Sequence, residues 1–113
     1  MKISILATTI GTLLLPVRFL AEPSKGHSGA GEAIFHERCV GCHGLDGRAQ
    51  TELGKKVGAA DLTSDAVQQQ RDSQLLVIVK EGKGKMPALG DKLSDDEIHA
   101  VIIHIRQLAK NRL

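Results

Sequence analysis

The sequence predicts an all-α domain. Three observations carry that expectation. No stretch alternates apolar and polar residues as a half-buried strand would, and no segment repeats. Apolar residues instead recur at helical spacing in three longer segments. The last of these opens on Ser94-Asp95-Asp96-Glu97, a capping box in which a serine and a glutamate three residues on satisfy each other's backbone N–H groups.

Residues 1–21 are expected to lie outside that domain. Met1-Lys2 gives a positive start, and Ile3 to Val17 is an uncharged, largely apolar run, the pattern of a secretory signal. The run is shorter than the roughly twenty residues a membrane span needs. Ala21 suits a cleavage site, but Phe19 is large and Arg18 intrudes before it. A cleaved signal peptide and an uncleaved N-terminal anchor both stay open. Either one places the domain outside the cytoplasm. Residues 22–30, rich in Gly, Ser and Pro, read as a linker, and the domain is expected over 31–113.

The first helix is expected from about Gly31 to His43, carrying Ile34 and Phe35. From His43 to Ser64 the chain reads as a loop. Gly44, Gly47, Gly54 and Gly58 punctuate it, and Asp46-Gly47 is a turn signal. A short helical turn follows Ser64 through Gln70. The second helix runs from about Asp72 to Glu81, with Leu75, Leu76, Ile78 and Val79 as its stripe and Gly82 as its stop. The third is the clearest. Leu93 and Ile98 stand where a hydrophobic staple belongs, and Ile98, Val101, Ile102, Ile105 and Leu108 recur at helical spacing. Acidic residues at its start and Arg106, Lys110 and Arg112 at its end suit the helix dipole.

The 113 residues suffice for one domain. Aromatic residues make up 2 %, Phe19 and Phe35 alone, so the core is thin in large rings and would be eased by a flat apolar cofactor. The chain has 15 basic and 13 acidic residues. Without Lys2 and Arg18 the remainder balances, 13 against 13, so the charge gives no reason to expect nucleic acid as a partner. Lys55, Lys56, Lys80, Lys83 and Lys85 cluster in two segments. A solvated lysine face is the default for any one of them.

Cys39-Val40-Gly41-Cys42-His43 is the most telling stretch. C-x-x-C-H is the attachment signal for a c-type haem. Two thiols three apart on a helix share a face, so both reach one porphyrin edge, and His43 can ligate the iron from beneath. The rival readings are weaker. A thioredoxin-like pair expects a βαβ context, which does not follow. Half a zinc site lacks a second ligand pair at zinc-finger spacing, although His36 and His43 bracket the cysteines. A plain disulfide leaves His43 without a role.

The iron then needs a sixth ligand or an open position. Met86 lies in Gly82-Lys83-Gly84-Lys85-Met86-Pro87, a charged, glycine-rich, non-periodic stretch and a poor place for a core-filling thioether. Pro87 fixes the backbone beside it. Met86 is therefore read as the axial ligand opposite His43. Among the competitors, His27 is in the linker and His36 precedes His43 on the same helix. His99 and His104 are on the last helix, where surface or core roles are the default.

These motifs resemble a class I mono-haem cytochrome c, in particular the small bacterial and cytochrome c6-like types, over about residues 29–110. Gly31-x-x-Ile34-Phe35, then Cys39-x-x-Cys42-His43-Gly44-x-Asp46-Gly47, then Gly-Lys-Met86-Pro87 and a capped terminal helix stand in the family's order. The resemblance implies the class I fold, three to four helices wrapped around one covalently bound haem. It implies haem c held by Cys39 and Cys42, with His43 and Met86 on its iron. It also implies that the first and last helices cross at Gly31 and pack Phe35. The family's usual Tyr or Phe partner is replaced here by His104. The family often has a Pro whose carbonyl holds the ligating histidine; the place falls here on Thr51 or Glu52, whose carbonyl could serve. Lys55, Lys56 or Gln70 would stand in for the family's usual propionate-binding aromatic.

The expected function is that of an exported one-electron carrier, not an enzyme. It would work between redox donor and acceptor proteins, soluble or membrane-bound, as a periplasmic monomer. Two alternatives stay open. One is a membrane-anchored haem subunit of a periplasmic oxidoreductase or terminal oxidase. The other is a ligand-binding haem protein with a labile Met86.

Overall fold

A computed structural model describes Gly11 and residues 26–112, with side chains from Gly29 onward in the domain. Six helices follow one another: α1 (Gly26–Arg38), α2 (Val40–His43), α3 (Glu52–Val57), α4 (Asp65–Gln68), α5 (Asp72–Glu81) and α6 (Asp95–Lys110). Among the described residues there is no strand, and the sole ladder feature is an isolated bridge between Lys83 and Met86. Apart from Gly11, the segment read as leader and residues 22–25 of the segment read as linker lie outside the described residues. Helix α1 starts at Gly26, inside the segment read as linker.

The single helix expected over 31–43 is two pieces. Cys39, at φ −116° and ψ −31°, departs from regular helical φ, yet the hydrogen bonds continue across it, from Cys39 N–H to the Phe35 carbonyl and from His43 N–H to the Cys39 carbonyl. Gly44, at φ 78°, ends the run.

Helix α6 crosses α1 and is the spine of the domain. Ser94 and Glu97 form the expected capping box, at 3.2 and 2.8 Å. Its inward face is Ile98, Ala100, Val101, Ile102, His104 and Ile105. At the crossing, any side chain at Gly31 would overlap the Ala100 carbonyl, so only glycine lets the two backbones meet. Phe35 is fully buried there against Val101 and Ile105. A second cluster gathers Leu75 and Val79 of α5, Val67 of α4, and Leu89, Leu93, Ile98 and Ile102. Burying such a side chain completely is worth about 1.5–3 kcal/mol.

Arg106 ties α6 to the turn between α4 and α5. Its guanidinium donates to the carbonyls of Gln68 (2.9 Å) and Gln70 (2.6 Å) and to the Asp72 carboxylate (2.7 Å). Farther along, Arg112 donates to the Thr63 carbonyl at 2.9 Å.

Helix α3 occupies part of the stretch read as loop. Thr51 caps it by accepting from Gly54 N–H at 2.9 Å, and Gly58 ends it in the left-handed conformation, φ 69°. Gly54 hides the helix in the sequence, because glycine is a poor helix former. Its place is dictated by packing: a side chain there would overlap the Cys42 carbonyl.

Candidate haem site

Helices α1 and α2 deliver Cys39, Cys42 and His43 to one side of an apolar cavity. Cys39 and His43 line it, and Met86 lines it from the segment between α5 and α6. Leu75, Val79, Val101 and Ile105 supply the apolar walls. Cys42 is half-buried and lies outside this lining, on the next turn from Cys39. Both cysteines are free thiols. Burial pushes the Cys39 thiol up to about 11, and the neighbouring Cys42 adds to the shift.

His43 is oriented by its own second nitrogen. Nδ1–H donates to the Ala60 carbonyl at 2.9 Å, since a carbonyl can only accept. This bond fixes the tautomer and leaves Nε2 with a free lone pair, the state a metal ligand needs. The acceptor is Ala60, not Thr51 or Glu52 as the sequence suggested. Thr51 has another task. Its hydroxyl lies 2.9 Å from the Gly41 carbonyl and 3.1 Å from that of Cys42, and so braces the attachment turn. Ala49 N–H donates to the His43 carbonyl at 2.8 Å, from a left-handed backbone with φ 57°.

Among the described side chains no other histidine lines this cavity. His36 is exposed, 3.9 Å from Glu32. His99 is exposed, and its Nδ1 lies 2.9 Å from the Asp95 carbonyl one turn back. His104 is buried in the α1–α6 crossing. The side chain of His27 is outside the described residues. Two thiols on consecutive turns, an imidazole nitrogen left free, a thioether lining the same cavity and apolar walls all fit a covalently attached haem.

Of the clustered lysines, Lys80 is paired with Asp95 at 2.8 Å. Lys55, Lys56, Lys83 and Lys85 are exposed and make no ion pair among the described residues. Leu45 and Leu53 are exposed near the attachment turn and α3. No helix among the described residues is long and apolar enough to cross a membrane.

Comparison with known proteins gives the family. The family model described as cytochrome C oxidase, cbb3-type, subunit III matches residues 28–105. A cytochrome c6 from Leptolyngbya boryana is 32 % identical over 84 residues, covering 72 % of this chain and 92 % of that protein. The cbb3-type cytochrome c oxidase subunit FixP of Bradyrhizobium diazoefficiens is 34 % identical over 87 residues, 74 % of this chain but 29 % of FixP. Among solved structures, the KustC0563 c-type cytochrome superposes with a TM-score of 0.64 at 28 % identity, covering 69 % of this chain and 95 % of that one. The chain therefore belongs to the class I mono-haem cytochromes c, and is a cytochrome c6-like electron carrier whose cofactor is covalently attached haem c.

Proposed function

We propose that Cys39 and Cys42 hold the haem as thioethers, that His43 and Met86 take the two axial positions of its iron, and that the protein shuttles single electrons between extracytoplasmic redox proteins. The observation that carries this reading is that His43 and Met86 reach one apolar cavity from separate segments. When bound, the haem supplies a one-electron ferrous–ferric couple. The protein's own residues set the conditions for it. Ala60 holds the imidazole with Nε2 free. Thr51 and Gly54 fix the turn that carries Cys42. Leu75, Val79, Val101 and Ile105 keep water from the cavity. A thioether ligand raises the reduction potential relative to other axial ligands.

The test is Met86→Ala. It should leave haem attached, lower the reduction potential and let carbon monoxide bind the ferrous protein. Cys42→Ala should impair attachment itself. Unchanged potential and no carbon monoxide binding in Met86→Ala would remove Met86 from the iron.

The partner surface is proposed to be basic and partly apolar. Lys55, Lys56, Lys83 and Lys85 are free to steer an acidic redox partner, and Leu45 and Leu53 give it an apolar contact. We read the carrier as exported and periplasmic, on the strength of the apolar leader. The likeness to FixP favours a second reading, a haem module tethered at the membrane by an uncleaved leader. N-terminal sequencing of the mature protein separates the two: a start after the apolar run supports the shuttle, and an intact Met1 supports the tether.

A further inference from the structure

The segment from Gly82 to Gly90 leaves the end of α5 and returns to it. Gly82 N–H closes the helix on the Ile78 carbonyl at 2.8 Å. The chain then turns through Gly84-Lys85, with Lys83 and Met86 exchanging both backbone hydrogen bonds, at 3.1 and 2.9 Å. It comes back so that Leu89 N–H reaches the Val79 carbonyl at 2.9 Å and Gly90 N–H the Lys80 carbonyl at 3.0 Å. Those are two of the last helix carbonyls, which have no partner within their own helix. Met86 thus sits on a closed strap whose two ends are sewn to one helix.

Both ends are glycines with no room for a side chain. Gly82 has φ 79°. A methyl there would stand 2.7 Å from the Met86 carbonyl oxygen, 2.9 Å from Ala88 N and 3.0 Å from the Pro87 carbonyl carbon, all of them backbone atoms. At Gly90 a methyl would lie 2.9 Å from the Lys80 carbonyl oxygen and 2.8 Å from its Cγ. Gly84, at the tip, also has a left-handed backbone, φ 57°, but nothing within 4 Å. Two glycines of the strap therefore answer to contact, and the third answers to turn geometry alone.

We propose that Gly82 and Gly90 are positioning residues for the thioether. Their bare Cα atoms let the strap close against α5, and that closure holds Met86 in the cavity that His43 also lines. A methyl at Gly82 has to push the Met86–Ala88 backbone away from α5, and the sulfur leaves with it. The cysteines, at the start of α2 and within it, are untouched by this movement. The inference rests on Met86 being an axial ligand.

The experiment compares haem-loaded wild type, Met86→Ala, Gly82→Ala and Gly84→Asn. The readouts are the far-red absorption band of thioether-ligated ferric haem, the midpoint potential, and carbon monoxide binding to the ferrous form. Asn tolerates the left-handed region, so Gly84→Asn keeps the turn. Wild type and Gly84→Asn should show the band and bind no carbon monoxide. Gly82→Ala should lose most of the band, bind carbon monoxide stoichiometrically and shift in potential toward Met86→Ala, with haem still covalently attached. A Gly82→Ala protein with the band and potential of wild type overturns the inference while leaving Met86 as ligand. A Met86→Ala protein that keeps the band overturns the ligand assignment, and the inference with it. If Gly82→Ala does not accumulate loaded with haem, Gly90→Ala takes its place in the same three measurements: loss of the band supports the inference, and the band and potential of wild type overturn it.

Discussion

Phe35 and His104 meet across the crossing of α1 and α6, with ring centroids 4.9 Å apart and planes tilted by 53°. Phe35 is completely shielded from solvent, and Nε2 of His104 is buried with no hydrogen-bond partner among the described residues. The pair does the packing work of two aromatic rings while one of them remains titratable.

Removing the phenyl ring should leave a cavity that neither helix can close, because Gly31 already holds the backbones at contact. Phe35→Ala should cost about 3–5 kcal/mol. Denaturant unfolding of the haem-loaded protein measures it. A loss below about 1 kcal/mol would mean that the crossing repacks freely.

His104 should make the protein acid-sensitive. Burial holds its imidazole below the usual range; Glu32 on α1 partly opposes the shift and His36 on the same helix reinforces it. In the unfolded chain the group titrates near 6.5. Between the two values the unfolded chain binds more protons, so stability rises with pH there. The contribution is fully present above about pH 6.5 and is lost as the pH falls toward the folded value. His104→Phe keeps the ring contact and should flatten that limb relative to wild type. Parallel stability curves for the two proteins between pH 8 and 5 would show that His104 carries none of the slope.

Lysine substitutions should divide by ion pairing. Lys55→Glu with Lys56→Glu should slow electron transfer to an acidic partner by about tenfold or more at low salt. The difference should shrink as salt rises, since exposed charges are screened over about 8 Å at physiological ionic strength. Lys80→Gln, which removes a charge already engaged by Asp95, should change the rate little. Equal effects from the two sets in stopped-flow measurements would dissolve the distinction.

Ser94→Ala should cost about 1 kcal/mol by stripping the N-cap of α6. Glu97→Gln should cost less, since an amide oxygen can still accept from Ser94 N–H. Thermal unfolding of the two variants ranks them.

Much of this was legible because it is local. Helix α5 spans Asp72–Glu81 as its apolar stripe and Gly82 stop imply, and α6 begins where its capping box says. Phe35, Gly31 and His104 meet as the family resemblance implied. What escaped is set by distant contacts. Helix α3 carries a glycine in its interior, which local propensity scores against; the reason for it is the Cys42 carbonyl outside the helix. Thr51, Glu52 and Gly58 were the available signal, a cap, an acidic first turn and a left-handed stop. The acceptor for His43 belongs to Ala60, and no property of an alanine side chain announces the use of its carbonyl. The break at Cys39 and the helical start at Gly26 likewise carry no composition signal.

The crossing at Gly31 also orders events in time. Helix α1 is made early and finds its packing surface only when α6 has been synthesised. Contacts so far apart along the chain form late, after the cost of closing a long loop has been met. Until then Phe35 has nothing to bury against, and the neighbouring Cys39-Val40-Gly41-Cys42-His43 turn stays open to approach. The docking of its last helix then buries Phe35, one turn before the first of the two thiols.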